Sequence, residues 1–155
     1  MSRKHPVIAV TGSSGAGTTT VKVAFEHIFR REGVNPAVIE GDSYHRYDRA
    51  EMRVQMSEHG LSHFGPQANL FDKLEELFKT YGETGTGEKR YYLHSQEEAD
   101  EHNARLGISK GPGEFTPWED VPSGTDLLFY EGLHGLVNDG TNDSNPLTVP
   151  NGVNP

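Results

Sequence analysis

Cysteine does not occur in this chain, which excludes disulfides, thiolate catalysis and Cys-ligated zinc. Long apolar runs are missing as well. The run in "MSRKHPVIAV" covers only a few residues, too short for a signal-peptide core or a membrane span. A soluble, cytoplasmic protein is the expectation. Basic residues are outnumbered, 14 Lys and Arg against 23 Asp and Glu, for a net charge of −9. That balance argues against non-specific binding to nucleic acid or to an anionic membrane, since both need phosphates neutralised by Lys and Arg. A small phosphorylated substrate needs only a few local donors and stays open. The hydrophobic share of 33% and a mean hydropathy of −0.67 are low for a globular domain, so polar loops are expected. A length of 155 residues suits one domain.

One further absence is local. In "VIAVTGSSGAGTTTVKVAF", Gly12, Gly17 and Thr19 keep the spacing of a phosphate-binding P-loop, G-x-x-x-x-G-K-[ST], but Thr18 stands where lysine is expected. Such a loop works through backbone N–H groups and the N-terminus of the helix that follows, and neither needs the lysine. Gly12, Gly15 and Gly17 supply backbone freedom, and Thr19 occupies the place of a hydroxyl ligand to Mg²⁺. The alternative is a Gly/Ser-rich turn that binds nothing.

The surroundings suit the first reading. "PVIAVTG" reads as a buried strand. "TTTVKVAFEHIFRREG" reads as a helix with Val21, Ala24, Phe25 and Ile28 on one face, ended by Gly33, and "PAVIEGD" reads as a second strand. Together they form a βαβ unit with parallel strands and a right-handed crossover. Residues 43–68 are polar with weak periodicity. Leu70, Phe71, Leu74, Leu77, Phe78 and Tyr81 mark an amphipathic helix stopped by Gly82. Residues 82–125 read as loops with one short helix at "SQEEADEHNARLG", and "TDLLFYEG" reads as a third buried strand. After Leu136 the composition turns to Gly, Asn, Asp and Pro, which predicts a poorly structured tail over 137–155 beside a domain over 1–136.

Two acids stand at strand ends, where ligands bind in α/β sheets. Asp42 in "IEGDSYHRYDR" is placed to orient an attacking hydroxyl and accept its proton; a helix N-cap is the plainer reading. His45 and Arg49 follow at helical spacing, so on one helix all three share a face, and the latter two could hold a sugar phosphate or form a solvated basic patch. In "LLFYEGLHG", Glu131 ends a hydrophobic run in the Walker-B manner and would hold Mg²⁺. Asp126 at the other end of that run reads as a turn residue. His134 lies just beyond and is either a ligand contact or a loop histidine without a role. His5, His27, His59, His63, His94 and His102 show no metal-ligand spacing, and Trp118 reads as a loop anchor.

The segments "VTGSSGAGTTTV", "IEGDSYHRYDR", "SHFGPQANLFDKLEELFKTYGETGTG" and "GEFTPWEDVPSGTDLLFYEGLHG" together resemble the proteobacterial type of phosphoribulokinase, P-loop kinases related to uridine kinase. The resemblance runs in order from about residue 5 to 136. It implies an α/β fold, a P-loop NTPase-like parallel sheet flanked by helices. It also implies MgATP-dependent phosphorylation of ribulose 5-phosphate at the 1-hydroxyl, as in the Calvin cycle, and a homo-oligomer at full length. Gly12, Ser13, Ser14, Gly15, Ala16, Gly17, Thr18, Thr19 and Thr20 would surround the ATP phosphates. Asp42 would be the catalytic base, His45 and Arg49 would meet the sugar phosphate, and Glu131 would lie on the Mg²⁺ side. Threonine at the lysine position is itself a trait of these kinases. Their basic stretch K-x-x-R-D-x-x-x-R-G does not occur in the 155 residues, so an N-terminal portion of such a kinase is expected, its sheet incomplete on the C-terminal side and inactive alone. The P-loop by itself does not exclude a uridine- or pantothenate-type kinase, although those relatives typically carry the loop lysine and lack "GEFTPWED"; a nucleotide-binding protein without catalysis is the third reading.

Overall fold

A computed structural model describes residues 4–12 and 16–133. In chain order the elements are β1 (Val7–Thr11), α1 (Thr18–Glu32), β2 (Pro36–Glu40), a 3-10 turn (Gly41–Tyr44), α2 (Arg49–His59), α3 (Phe71–Thr84), β3 (Glu88–Lys89), α4 (Gln96–Leu106), β4 (Glu119–Asp120) and β5 (Leu127–Gly132). The tail over 137–155 and the boundary at residue 136 lie outside the described residues.

The main sheet has the order β1-β5-β2, with β5 parallel to both neighbours. The two strands flanking the first helix are therefore parallel, as expected, but the last strand is inserted between them. Its composition explains the position. Leu128 and Phe129 are wholly inaccessible to solvent, and a strand apolar on both faces belongs at the centre of a parallel sheet.

Side chains alternate between two layers. Ala37, Ile39, Leu128 and Tyr130, with Val7 and Ala9 against them, face α3, where Leu74, Leu77 and Tyr81 complete the main core. Leu127 and Phe129, with Ile8 and Val10, face α1 and pack on Phe29 and Phe25. Phe25, Phe29 and Phe129 meet at centroid distances of 5.2 to 5.7 Å. The α1 contact face thus differs from the expected one. Val21 and Ile28 are exposed, and Phe29 is the buried residue, because the aromatic rings, not the smaller side chains, reach Phe129.

The face expected for α3 is the one it buries, but Gly82 does not stop the helix. It continues to Thr84 and is capped at Gly85, whose N–H bonds the Tyr81 carbonyl. The polar stretch 43–68 contains α2, which buries only Met52 and therefore shows little periodicity. Its start is fixed by a capping box: Asp48 accepts from the Glu51 amide, and Glu51 accepts from the Asp48 amide. The helix expected at 95–107 is α4, with Ser95 as its N-cap. Within 82–125 there is more order than loops. β3 and β4 pair antiparallel over two residues, and Tyr92 bridges Phe115. Asp126 behaves as a turn residue, accepting from the Asn35 amide at 2.7 Å. Trp118 anchors its loop edge-on to Tyr44, with Lys73 Nζ and the Arg90 guanidinium each 4.6 Å from its ring centroid. No helix among the described residues is long and apolar enough to cross a membrane.

Candidate functional site

The carboxyl ends of β1, β5 and β2 open onto a cleft of about 530 Å³, lined by Gly12, Thr18 and Thr19 on one side and by Glu40, Asp42, His45, His94 and Glu131 on the other. Gly17, with φ of 84°, turns the chain into α1, a left-handed conformation that glycine adopts without strain. Unlike α2 and α4, α1 has no side-chain cap and no acid in its first turn. Among the described residues no side chain caps its leading amides, an arrangement suited to an anion. Ala16, Gly17, Thr19 and Thr20 are exposed there. Ser13, Ser14, Gly15 and His134 lie outside the described residues.

A close backbone contact brings the acids together. A Cβ on Gly41 would fall 2.5 Å from the Tyr130 hydroxyl and 2.9 Å from Gly132 Cα, and one on Gly132 would meet Gly41 Cα at 2.8 Å. Only two glycines let the chain after β2 lie this near the end of β5. Glu40 and Glu131 are register partners on those strands, so their carboxylates leave the sheet on the same face.

Asp42 belongs to the 3-10 turn rather than to a helix shared with His45 and Arg49. The turn ends at Tyr44, His45 is extended, and Arg49 opens α2 after the Asp48 cap. The expected common helical face therefore does not form, nor does Asp42 cap a helix. His45 still comes to the carboxylate by the turn itself, with Nε2 3.6 Å from Oδ1. Asn69 fixes that ring. Its amide nitrogen donates to the His63 and Gly65 carbonyls, so its oxygen accepts from His45 Nδ1 at 2.9 Å, leaving Nε2 on the Asp42 side.

His94 arrives from the loop before α4. Its Nε2 donates to Asp42 Oδ2 at 3.0 Å and its Nδ1 to Glu98 Oε2 at 3.2 Å. Two carboxylate acceptors require both nitrogens to carry hydrogen. The Asp42 hydrogen bond raises His94 to about 9, so the ring is an imidazolium at neutral pH. In turn, His45 and His94 hold the Asp42 carboxyl well below the usual carboxylate range. Arg90 secures the turn from behind. Its Nε donates to the Ser43 carbonyl at 2.8 Å, its Nη2 donates to the His45 carbonyl, and the guanidinium packs 3.7 Å from the Phe115 ring centroid.

A second cleft, about 310 Å³, shares Asp42, His45 and His63 with the first and is otherwise lined by Arg49, Arg53, Tyr92 and α2 residues. Arg49 donates to the Tyr92 hydroxyl at 3.2 Å. Asp42 thus stands where two clefts meet, one backed by an uncapped helix N-terminus and the other by two guanidinium groups.

Sequence spacing singled out Gly12, Thr18, Thr19, Asp42, His45, Arg49 and Glu131, and the fold gathers them around these two clefts. It did not single out His94, Arg90, Arg53 or Lys22. His94 carried a local signal, since it immediately precedes the Ser95 cap and stands four residues before Glu98.

The family model described as "Phosphoribulokinase / Uridine kinase family" matches residues 7–149, a match that runs past Leu136. The chain is 58% identical over 149 residues to the chromosomal phosphoribulokinase of Cupriavidus necator, covering 92% of this chain and 49% of that protein. It is 57% identical over 143 residues to a phosphoribulokinase of Nitrobacter vulgaris, covering 88% and 47%. The solved phosphoribulokinase from Rhodobacter spheroides superposes with a TM-score of 0.74 at 46% identity, covering 90% of this chain and 47% of that one. The chain spans about half the length of the relatives it matches. A parallel α/β sheet whose first helix starts at Gly17 without a side-chain cap, matched by the family model over residues 7–149, makes this chain a member of the phosphoribulokinase/uridine kinase family.

Proposed function

We propose that the two clefts serve transfer of the ATP γ-phosphoryl group to the 1-hydroxyl of ribulose 5-phosphate. The carrying observation is Asp42 at their junction, between a place for polyphosphate and a place for a phosphorylated acceptor. Similarity to proteins named phosphoribulokinase supports the choice of acceptor.

In this reading the α1 amides receive the β- and γ-phosphates. The Thr19 hydroxyl and the Glu131 carboxylate are hard oxygen donors facing one cleft, a set that suits Mg²⁺, which takes one or two protein ligands beside substrate phosphates. Held there, Mg²⁺ would supply positive charge to offset that of the phosphates. His45, Arg49 and Arg53, which line the second cleft, hold the acceptor's 5-phosphate. His94 occupies Oδ2 of Asp42, and Oδ1, with His45 Nε2 3.6 Å away, orients the acceptor hydroxyl. The hydroxyl oxygen bonds to the γ-phosphorus, the bond to the ADP oxygen breaks with its electron pair leaving on ADP, and the proton passes to Asp42. A carboxylate of such low proton affinity accepts late in the transfer, consistent with a loose transition state that asks more for positioning than for basicity. A cytoplasmic homo-oligomer is the accompanying proposal for the whole protein.

The test offers MgATP with ribulose 5-phosphate, uridine or pantothenate, and follows ADP release beside calorimetric ATP binding. Turnover with ribulose 5-phosphate alone supports the proposal. Turnover with another acceptor reassigns the substrate, and ATP binding without turnover in the 155-residue chain and in a full-length form alike identifies a non-catalytic nucleotide-binding protein.

A further inference from the structure

We infer that Lys22, one turn into α1, delivers to the bound polyphosphate the positive charge that Thr18 leaves out of the loop. This rests on the nucleotide reading of the larger cleft. Residues four apart share a helix face, and helical side chains lean toward the N-terminus, covering the turn before their own Cα. Lys22 therefore lies over Thr18, and it lines the cleft together with Gly12, Thr18 and Thr19. Among the described residues it is the only Lys or Arg that does so, against the carboxylates of Glu40, Asp42 and Glu131.

Its ammonium is already held at the site. Nζ donates to Glu40 Oε1 at 2.9 Å with the side chain 20% exposed. Burial opposes the charge, but Glu40, Glu26 and Glu131 outweigh it and raise the pKa above the ordinary lysine value. An ammonium has three donors, so Glu40 positions it and two remain for phosphate oxygens.

Calorimetry with MgATP and with adenosine on the wild-type chain, Lys22→Met and Lys22→Arg tests this. The expected result is a loss of MgATP affinity of roughly 10- to 100-fold in Lys22→Met, the range of a hydrogen bond to a charged group. Adenosine binding should be unaffected, and Lys22→Arg should recover most of the loss. Equal MgATP affinity in wild type and Lys22→Met overturns the inference alone, as does equal loss for adenosine. A wild-type chain that binds no MgATP overturns the nucleotide reading and the inference with it. If Lys22→Met does not fold, the Lys22 ¹³Cε resonance of the wild-type chain decides: it shifts on addition of MgATP if the inference holds and stays fixed if it does not.

Discussion

Asp42 and His94 are coupled, and the coupling has a pH signature. His94 is raised from an ordinary 6.5 to about 9, so its contribution to stability is complete below pH 6.5 and is lost as pH rises through 9. Asp42 is depressed from an ordinary 3.8, so its contribution is complete above that value and is lost as pH falls below it. The pair is therefore at full strength between about pH 4 and 6.5. Both side chains are partly exposed, and solvent screening keeps the energetic effect modest. An NMR titration should find the His94 midpoint near 9 and, in Asp42→Asn, clearly lower, with the Glu98 hydrogen bond still in place. A midpoint unmoved by the substitution contradicts the coupling. On a turnover-competent form of the protein, Asp42→Asn should lower kcat by about 10²- to 10⁴-fold while MgATP affinity holds, and an unchanged kcat removes Asp42 from the base role. Asp42 and Glu131 were legible because acids closing β-branched or apolar runs are local patterns. His94 was not, because it reaches Asp42 across a separation of 52 residues that only the folded chain closes.

Elements were legible in proportion to their burial. Helix α3 buries four residues at helical spacing, and its sequence pattern locates it almost to its end; α2 buries one, and its sequence carries no periodicity that marks it. What locates α2 is polar, and Asp48→Ala should destabilise the protein by about 1 kcal/mol, the usual cost of a lost N-cap, as read by urea denaturation. The Gly41–Gly132 approach is a contact between elements that no sequence window contains. Gly132→Ala should cost roughly 1–3 kcal/mol by overpacking and displace Asp42, visible as a fall in the His94 midpoint. Retention of both stability and midpoint contradicts the close contact as the device that sets the acids side by side. The order β1-β5-β2 was also illegible, because pairing partners are chosen by burial across the whole chain, whereas parallel direction followed from local strand–helix–strand spacing.

At the scale of the molecule, one central strand carries both layers. Leu128 is fully buried beneath α3, and Leu128→Ala should cost about 2–5 kcal/mol, lowering the urea midpoint of the entire transition rather than of one layer. The acidic surface, net −9, sets the electrostatic problem that the site must solve for a polyphosphate. Under the proposed function, the α1 amides and Lys22 are the donors that meet a polyphosphate in a cleft that also holds Glu40, Asp42 and Glu131. The ¹H–¹⁵N spectrum of the wild-type chain during addition of MgATP tests this account most directly. The amides of Gly17, Thr18, Thr19, Lys22 and Glu131 should shift, and those at the far end of α4, around Gly107, should not. No shift at the start of α1, or a response centred elsewhere, contradicts the placement of nucleotide in the cleft that ends at Asp42.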